Sequence, residues 1–244
     1  MRPKRIELLG VPLDCVDLPL ALSAVEEMMR DDRPGMVIAV NPEKVIKAIK
    51  SPVLLDPLRE ARLLIPDGIG VVMAARLLGL GRMKRVPGSE LMPAICERAA
   101  RKGYRVFLFG GGPEVNRDTM DALRRRFPGI QIVGGQHGYL KEEEMPGLID
   151  RINASKAEVL FVALGSPKQE IWMKRYLPRL NIKVCQGVGG TFDVLAGRVK
   201  RAPAVIRKVH LEWLYRLLSE PRRLVRQTAL PRFAVRVLRQ FVIG

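Results

Sequence analysis

The stretch EVLFVALGSPKQE, which covers residues 158–170, joins a run of apolar residues to a polar segment through glycine, serine and proline. An unbroken apolar run of this length is typical of a strand that is buried on both faces of a sheet. Similar runs recur along the chain, and segments with helical periodicity separate them. We predict strands at residues 36–40, 62–65, 105–109, 130–133, 158–164 and 183–186.

The alternation of strands and helices is the pattern of parallel βαβ units, so it predicts an α/β fold with a mostly parallel sheet flanked by helices. Ligands of such sheets bind beyond the carboxyl ends of the strands. Four strand ends meet glycine or proline, and we expect the functional site there. These loops are Pro66-Asp67-Gly68, Gly110-Gly111-Gly112-Pro113, Gly165-Ser166-Pro167 and Gly187-Val188-Gly189-Gly190.

The charge of the chain is its unusual property. The 244 residues are 48% hydrophobic and 27% charged, which is typical of a globular protein, but the net charge is +17. Such an excess indicates a polyanionic partner, which could be nucleic acid, an acidic membrane face or a phosphorylated substrate.

Most of the excess charge lies in residues 197–244, where twelve basic and two acidic residues give ten of the seventeen net positive charges. Prolines divide this segment, which favours short helices over strands. We therefore predict two parts: a core domain of residues 1–196 and a basic helical appendage of residues 197–244.

The last predicted helix is amphipathic, with apolar residues at helical spacing on one face and arginines on the other. Such a helix either lies in a membrane interface or docks on the core with a solvated charged face. The concentration of arginine favours an anionic membrane or phosphate surface. The apolar residues are Ala234, Val237, Leu238 and Phe241, and the arginines are Arg232, Arg236 and Arg239.

The location of the protein is predicted from segments that the sequence lacks. Residues 1–9 include basic residues without an apolar segment behind them, and no apolar run approaches the roughly 18–20 residues that span a bilayer. We expect a cytoplasmic protein. The scattered Cys15, Cys96 and Cys185 predict buried free thiols, with neither a disulfide framework nor a metal site.

The glycine loop that begins at Gly110 and Gly111 precedes a predicted helix, so its backbone amides could cradle a diphosphate. The alternative is a tight turn between strand and helix. The loop lacks the complete GxGxxG pattern, and no acidic residue follows the next strand, which disfavours a dinucleotide site. A phosphate-binding P-loop pattern is absent as well.

Three further polar residues follow strands. Asp67 is either a turn former or a general base at the sheet edge. Asp193 could bind a sugar or orient a partner. Gln169 could reach a ligand from a helix N-terminus, or it could form a capping box with Ser166.

Several separated blocks of the sequence resemble the WecG/TagA/CpsF glycosyltransferases, which form glycosyltransferase family 26. The resemblance runs from about Val11 to Arg226, and the order of the blocks is that of the family. The blocks are PDGIG at 66–70, VPGSEL at 86–91, FVALGSPKQE at 161–170, GVGGTFD at 187–193 and EWLYR at 212–216.

The resemblance implies a Rossmann-like fold and an inverting, metal-independent transfer from a UDP-sugar to a polyprenyl-diphosphate-linked acceptor, with no cofactor. The best-known members transfer N-acetylmannosamine to N-acetylglucosaminyl-diphospho-undecaprenol in teichoic acid synthesis, and relatives use N-acetylmannosaminuronic acid or glucose. The expected location is then the inner face of the cell membrane, where the enzyme binds peripherally to the anionic surface. Assembly into a homo-oligomer is left open.

The resemblance also implies roles for individual residues. Asp67 matches the family's proposed catalytic base, and Gln169 matches the glutamine of its SPKQE-like motif. Asn41 lies in the family's substrate-binding block, and Arg85 is expected to be a positive group on the side of the site that binds the donor. Ala39 departs from the family, since many members have threonine there. The arginines matched to diphosphate binding are Arg216, Arg223 and Arg226.

Two functions of other classes compete with this one. The charge alone suits a nucleic-acid-binding protein, but aromatic residues are only 5% of the chain and no nucleic-acid-binding motif is present, so we expect no specific nucleic acid partner. The second alternative is a protein that binds a sugar nucleotide without catalysis, and it would differ from a glycosyltransferase because no product forms.

Overall fold

The computed structural model describes residues 3–199, 203, 215 and 228–243. Its strands are β1 (Arg5–Leu8), β2 (Val11–Asp14), β3 (Gly35–Val40), β4 (Leu63–Pro66), β5 (Arg105–Gly110), β6 (Gln131–Gln136), β7 (Val159–Ala163) and β8 (Val184–Gly187). Its helices are α1 (Leu18–Arg30), α2 (Pro42–Ile49), α3 (Pro52–Glu60), α4 (Ile69–Leu77), α5 (Gly88–Lys102), α6 (Pro113–Arg126), α7 (Met145–Ala154), α8 (Lys168–Tyr176), α9 (Thr191–Leu195) and α10 (Ala229–Ile243).

Six parallel strands form one sheet in the order β4-β3-β8-β7-β5-β6. The predicted α/β fold and its six strands are confirmed. Successive residues of a strand point to opposite faces, so Met36 and Ile38 of β3 enter one hydrophobic core while Val37 enters the other. Helices α2, α3, α7 and α8 cover the first core, and α1, α5 and α6 cover the second.

An antiparallel hairpin of β1 and β2 precedes this sheet and was not predicted. Leu9 and Gly10 turn the chain with φ of 54° and 77°. The buried carboxylate of Asp14 accepts hydrogen bonds from Arg5 and from the Leu64 amide at 2.8 Å. This carboxylate therefore fastens the hairpin to β4, the strand that leads to Asp67.

Edge strand β6 is longer than predicted. It continues through Gly134 and Gly135, where we expected it to end. A Cβ atom at Gly134 would lie 2.4 Å from the Phe107 ring, and one at Gly135 would lie 2.6 Å from Asn116 Oδ1. Both positions therefore require glycine, because neighbouring side chains occupy the space where a Cβ atom would lie.

Helix α10 packs against α2 and buries Ala229, Phe233 and Val237 in the first core. Docking on the core, one of the two alternatives for this helix, is therefore observed. Of the apolar residues predicted to share its stripe, Val237 is buried while Leu238 and Phe241 are exposed. Among the described residues, no helix is long and apolar enough to cross a membrane. The boundary at residue 196 stays a prediction.

Candidate active site

A cleft of about 330 Å³ lies at the carboxyl ends of β3, β4, β7 and β8. Three of the four predicted loops line it, and the loop at Gly110 does not appear among its lining residues. Of the predicted site residues, the cleft brings together Asn41, Asp67, Arg85 and Gln169.

The backbone of Asp67 is fixed by its neighbours at the end of β4. Its amide proton is donated to the Val40 carbonyl oxygen at 2.8 Å, and the carbonyl of Pro66 accepts from the Val86 amide at 2.7 Å. The second contact also brings the loop that carries Arg85 to the cleft. A half-buried carboxylate on a fixed backbone is a suitable base for a hydroxyl group.

The glycines after Asp67 admit the start of helix α2. Gly68 has φ of +131°, and a Cβ atom at Gly70 would lie 2.8 Å from Pro42 Cγ. A side chain at Gly70 would therefore push α2 away from the Asp67 loop. Close packing of two loops, rather than ligand contact alone, explains why the PDGIG segment needs these glycines.

Asn41 caps helix α2 and also lines the cleft. Its side-chain oxygen Oδ1 accepts from the Lys44 amide at 2.8 Å at the start of α2. This bond directs Oδ1 into the helix, so the side-chain NH₂ is the group with which Asn41 can donate to a ligand.

Gln169 is only 3% exposed. Its Oε1 accepts from the Gly189 amide at 3.0 Å, and its Nε2 donates to Glu170 Oε1 at 2.9 Å. The capping-box alternative is wrong, because helix α8 has no side-chain cap at its N-terminus. Gln169 instead joins α8 to the loop after β8.

A buried ion pair that the sequence did not predict lies beneath the cleft. Lys44 Nζ lies 2.6 Å from Glu170 Oε1, and the two side chains are 6% and 0% exposed. Lys44 also lines the cleft. Because 126 residues separate the partners, no local pattern could reveal the pair.

The cleft carries several positive groups. Arg85 is largely buried, and its Nη2 lies 3.9 Å from Glu90 Oε1. Lys44 and Lys47 also line the cleft, but each is paired with a glutamate, Lys44 with Glu170 and Lys47 with Glu43, both at 2.6 Å. The N-terminus of α5, which lacks a side-chain cap, also opens into the cleft at Gly88 and Ser89. This arrangement favours an anionic ligand.

The glycine loop after β5 lies outside this set of lining residues. A Cβ atom at Gly110 would lie 2.4 Å from the Ala163 carbonyl oxygen, and the Gly111 amide donates to that oxygen at 2.9 Å. These contacts are the ones expected for a tight turn between strand and helix, which was the alternative to a diphosphate cradle. Asp193 lies in the first turn of α9, beside Gly190 of the cleft. Diphosphate binding by Gly110 and Gly111 and sugar binding by Asp193 stay predictions.

Three predicted residues lie outside the part of the chain that the structure describes. They are Arg216, Arg223 and Arg226. Within the described part, no group of three or more His, Cys, Asp or Glu side chains could hold a metal ion.

The three cysteines are free. Cys96 and Cys185 are buried, and desolvation raises the pKa of both thiols far above the ordinary value. Burial also raises the pKa of the partly exposed Cys15 thiol. The three thiols are free as predicted, and Cys96 and Cys185 are buried as predicted, but the predicted burial of Cys15 is wrong because this side chain is partly exposed.

Comparison with known proteins identifies relatives over almost the whole chain. Residues 6–244 match the model of the glycosyl transferase WecG/TagA/CpsF family. The chain is 38% identical over 230 residues to a protein of Bacillus spizizenii strain W23, an alignment that covers 93% of this chain and 89% of the relative. That relative is an N-acetylglucosaminyldiphosphoundecaprenol N-acetyl-beta-D-mannosaminyltransferase.

Proposed function

The chain belongs to the WecG/TagA/CpsF family of glycosyltransferases, and we propose that it transfers N-acetylmannosamine from UDP-N-acetylmannosamine to N-acetylglucosaminyl-diphospho-undecaprenol. The product would serve teichoic acid or other surface polysaccharide synthesis. The observation that carries the proposal is the cleft itself, in which a carboxylate, a buried glutamine and basic side chains meet at the sheet edge.

Asp67 is the proposed general base. Its carboxylate accepts the proton of the acceptor sugar hydroxyl as that oxygen attacks the anomeric carbon of the donor. The bond from the anomeric carbon to the UDP oxygen breaks in the same step, so one displacement converts an α-linked donor into a β-glycoside. The β linkage agrees with the name of the Bacillus relative.

The leaving UDP gains negative charge that the protein must stabilise. Arg85 and the uncapped N-terminus of α5 face the cleft and suit a diphosphate, because guanidinium groups and free helix amides both bind phosphate oxygens. We propose that Arg216, Arg223 and Arg226 complete this set. Such groups would make the transfer independent of a metal ion.

The acceptor is anchored in lipid, so the enzyme must reach a membrane surface, and α10 has the faces for it. At 100° per residue, α10 divides into a docked edge, an exposed apolar edge and an arginine edge. The apolar edge includes Val235, Leu238 and Val242, of which Val242 is 80% exposed. We propose that this edge enters the anionic inner face of the cell membrane while the arginines bind headgroups.

The donor sugar is the least constrained part of the proposal. Ala39 lines the cleft without a hydroxyl group, at the position where the resemblance puts threonine. UDP-N-acetylmannosaminuronic acid and UDP-glucose are therefore the alternative donors.

A donor panel tests the proposed function. The purified chain is incubated with each of the three UDP-sugars and an N-acetylglucosaminyl-diphospho-polyprenol in anionic vesicles, and products are identified by mass spectrometry. We expect a β-linked N-acetylmannosaminyl product. Transfer from another donor would correct the substrate, and UDP binding without any product would leave a sugar-nucleotide-binding protein.

A further inference from the structure

Lys44, Glu170 and Gln169 form a continuous polar chain beneath the cleft. Glu170 Oε1 lies 2.6 Å from Lys44 Nζ, and it also accepts a hydrogen bond from Gln169 Nε2 at 2.9 Å. Removing two charges from water is costly, so a buried ion pair is often no more stabilising than apolar residues of the same size. Stability alone therefore does not explain why this pair is placed against the cleft.

The partners of Gln169 fix the orientation of its amide. The backbone N–H of Gly189 can only donate, and the carboxylate of Glu170 can only accept. The side-chain oxygen of Gln169 must therefore face Gly189, and its amino group must face Glu170, as observed. If the amide were reversed, two N–H donors would face each other at Gly189, and two oxygen acceptors would face each other at Glu170.

We propose that Glu170 is a positioning residue, which fixes Gln169 so that Gln169 presents its carbonyl oxygen to the ligand in the cleft. This inference deepens the proposed function and rests on it for the identity of the ligand. A carbonyl oxygen accepts from hydroxyl and N–H groups and repels phosphate oxygens. Gln169 therefore contacts a hydroxyl or N–H group of the substrates and not the diphosphate, and we assign this group to a sugar hydroxyl or acetamido N–H.

Lys44 extends the effect to a second wall of the cleft. Its ammonium group compensates the charge of Glu170, and its backbone amide donates to Asn41 Oδ1 at 2.8 Å. The polar chain thereby connects the start of α2 with α8 and, through Gln169, with the Gly189 loop. Loss of the acceptor at Glu170 should displace Gln169, although Glu170 itself is not among the residues that line the cleft.

Two double variants separate this role from simple charge compensation. Lys44→Met/Glu170→Gln and Lys44→Met/Glu170→Met both remove the ion pair, but only the first keeps an oxygen that can accept from Gln169. The new amino group of the glutamine variant can take the place of Glu170 Oε2, which has no hydrogen-bond partner among the described residues. Differences between the two variants therefore report the acceptor and not the charge.

Two readouts are compared. The first is kcat and KM for sugar transfer. The second is the ¹⁵N–¹H signal of the Gln169 side chain, assigned by its loss in Gln169→Leu, which needs no turnover. We expect the glutamine variant to keep the amide signal and to exceed the methionine variant in kcat by about 10–100-fold, since a misplacement of about 1 Å costs on the order of 10²-fold.

Equal kcat values and equal amide signals in the two double variants would overturn the proposal. If the methionine variant does not fold, hydrogen exchange of the unmodified chain is measured instead. Gln169 Nε2 protons that exchange with solvent as fast as those of the exposed Gln131 would contradict the assigned orientation. If the amide signals differ as expected but no UDP-sugar yields a glycoside, the positioning by Glu170 stands and the proposed function fails.

Discussion

The side-chain oxygen of Asn41 accepts a hydrogen bond from the backbone amide of Lys44 at 2.8 Å, so a residue assigned to substrate binding also caps helix α2. The two roles use different atoms. Oδ1 belongs to the helix, and the NH₂ group remains for a ligand in the cleft. Substitutions at Asn41 can therefore separate stability from binding.

Replacing Asn41 tests this division. Asn41→Ala removes the cap and should lower the free energy of unfolding by about 1 kcal/mol in urea titrations. Asn41→Asp keeps an acceptor at a helix N-terminus, so its stability should stay within about 0.5 kcal/mol of the parent chain. The same change removes the NH₂ donor and adds a negative charge, and KM for the UDP-sugar should rise at least about tenfold. An Asn41→Asp variant with unaltered KM would show that Asn41 serves only as a cap.

Gly110 is predicted to be required by packing between β5 and β7. It has φ of +119°, and a Cβ atom would lie 2.4 Å from the Ala163 carbonyl oxygen. Gly110→Ala should lower the free energy of unfolding by about 2–6 kcal/mol, as backbone strain and overpacking each cost about 1–3 kcal/mol.

Gly79→Ala is the matched control for Gly110, because Gly79 has φ of +65° and nothing lies within 4 Å of its Cβ position. It should lose only about 1–2 kcal/mol from the left-handed backbone. If Gly110→Ala were as stable as this control and had lost affinity for UDP, Gly110 would act by ligand contact instead.

The parallel sheet was predictable from the sequence because its strands are buried on both faces, and their apolar runs are hard to confuse with loops. The hairpin of β1 and β2 was missed for a physical reason. Its turn places Leu9 at φ of 54°, a conformation for which glycine, asparagine or aspartate would have been the signal. The contact of Asp14 with the Leu64 amide depends on tertiary structure and leaves no local pattern.

Thiol reactivity should distinguish the three cysteines. A raised pKa lowers the thiolate fraction at a given pH, so the buried Cys96 and Cys185 should not react with a thiol reagent at pH 8, and Cys15 should react slowly. The number of labelled thiols is measured by mass spectrometry. Cys15→Ser should abolish labelling of the native protein, and denaturation should expose all three thiols. Rapid labelling of Cys96 or Cys185 in the native protein would contradict their burial.

The exposed apolar edge of α10 should determine membrane affinity. Leu238→Ser/Val242→Ser removes two aliphatic groups, each of which gains about 1.5 kcal/mol or more on burial, so binding to anionic vesicles should weaken at least about tenfold. Stability should be unaltered, because both side chains are exposed in the structure. Phe233→Ser, on the docked edge, should instead destabilise the fold by about 3 kcal/mol. Unchanged vesicle binding in the first variant would assign the membrane contact to another surface.

Candidate site residues were predictable where they follow a strand, as Asp67 and Gln169 do, because parallel strands bring their carboxyl ends to one edge. The contacts that these two side chains make could not be predicted from the sequence. The amide of Gln169 is held by Gly189 from another strand and by a glutamate whose own partner, Lys44, is far away in sequence. Such bonds depend on how α2 and α8 pack, which no local spacing encodes.

The turnover of Asp67→Asn, measured beside its affinity for UDP, tests directly whether Asp67 is the base of the transfer. The substitution keeps the size of the side chain and its place after β4 but removes the proposed base. General bases contribute about 10²–10⁴-fold, so kcat for sugar transfer should fall by that factor while UDP binding measured by calorimetry stays within a few-fold of the parent chain. A variant that turns over within a few-fold of the parent would contradict the assignment of Asp67 and with it the proposed mechanism.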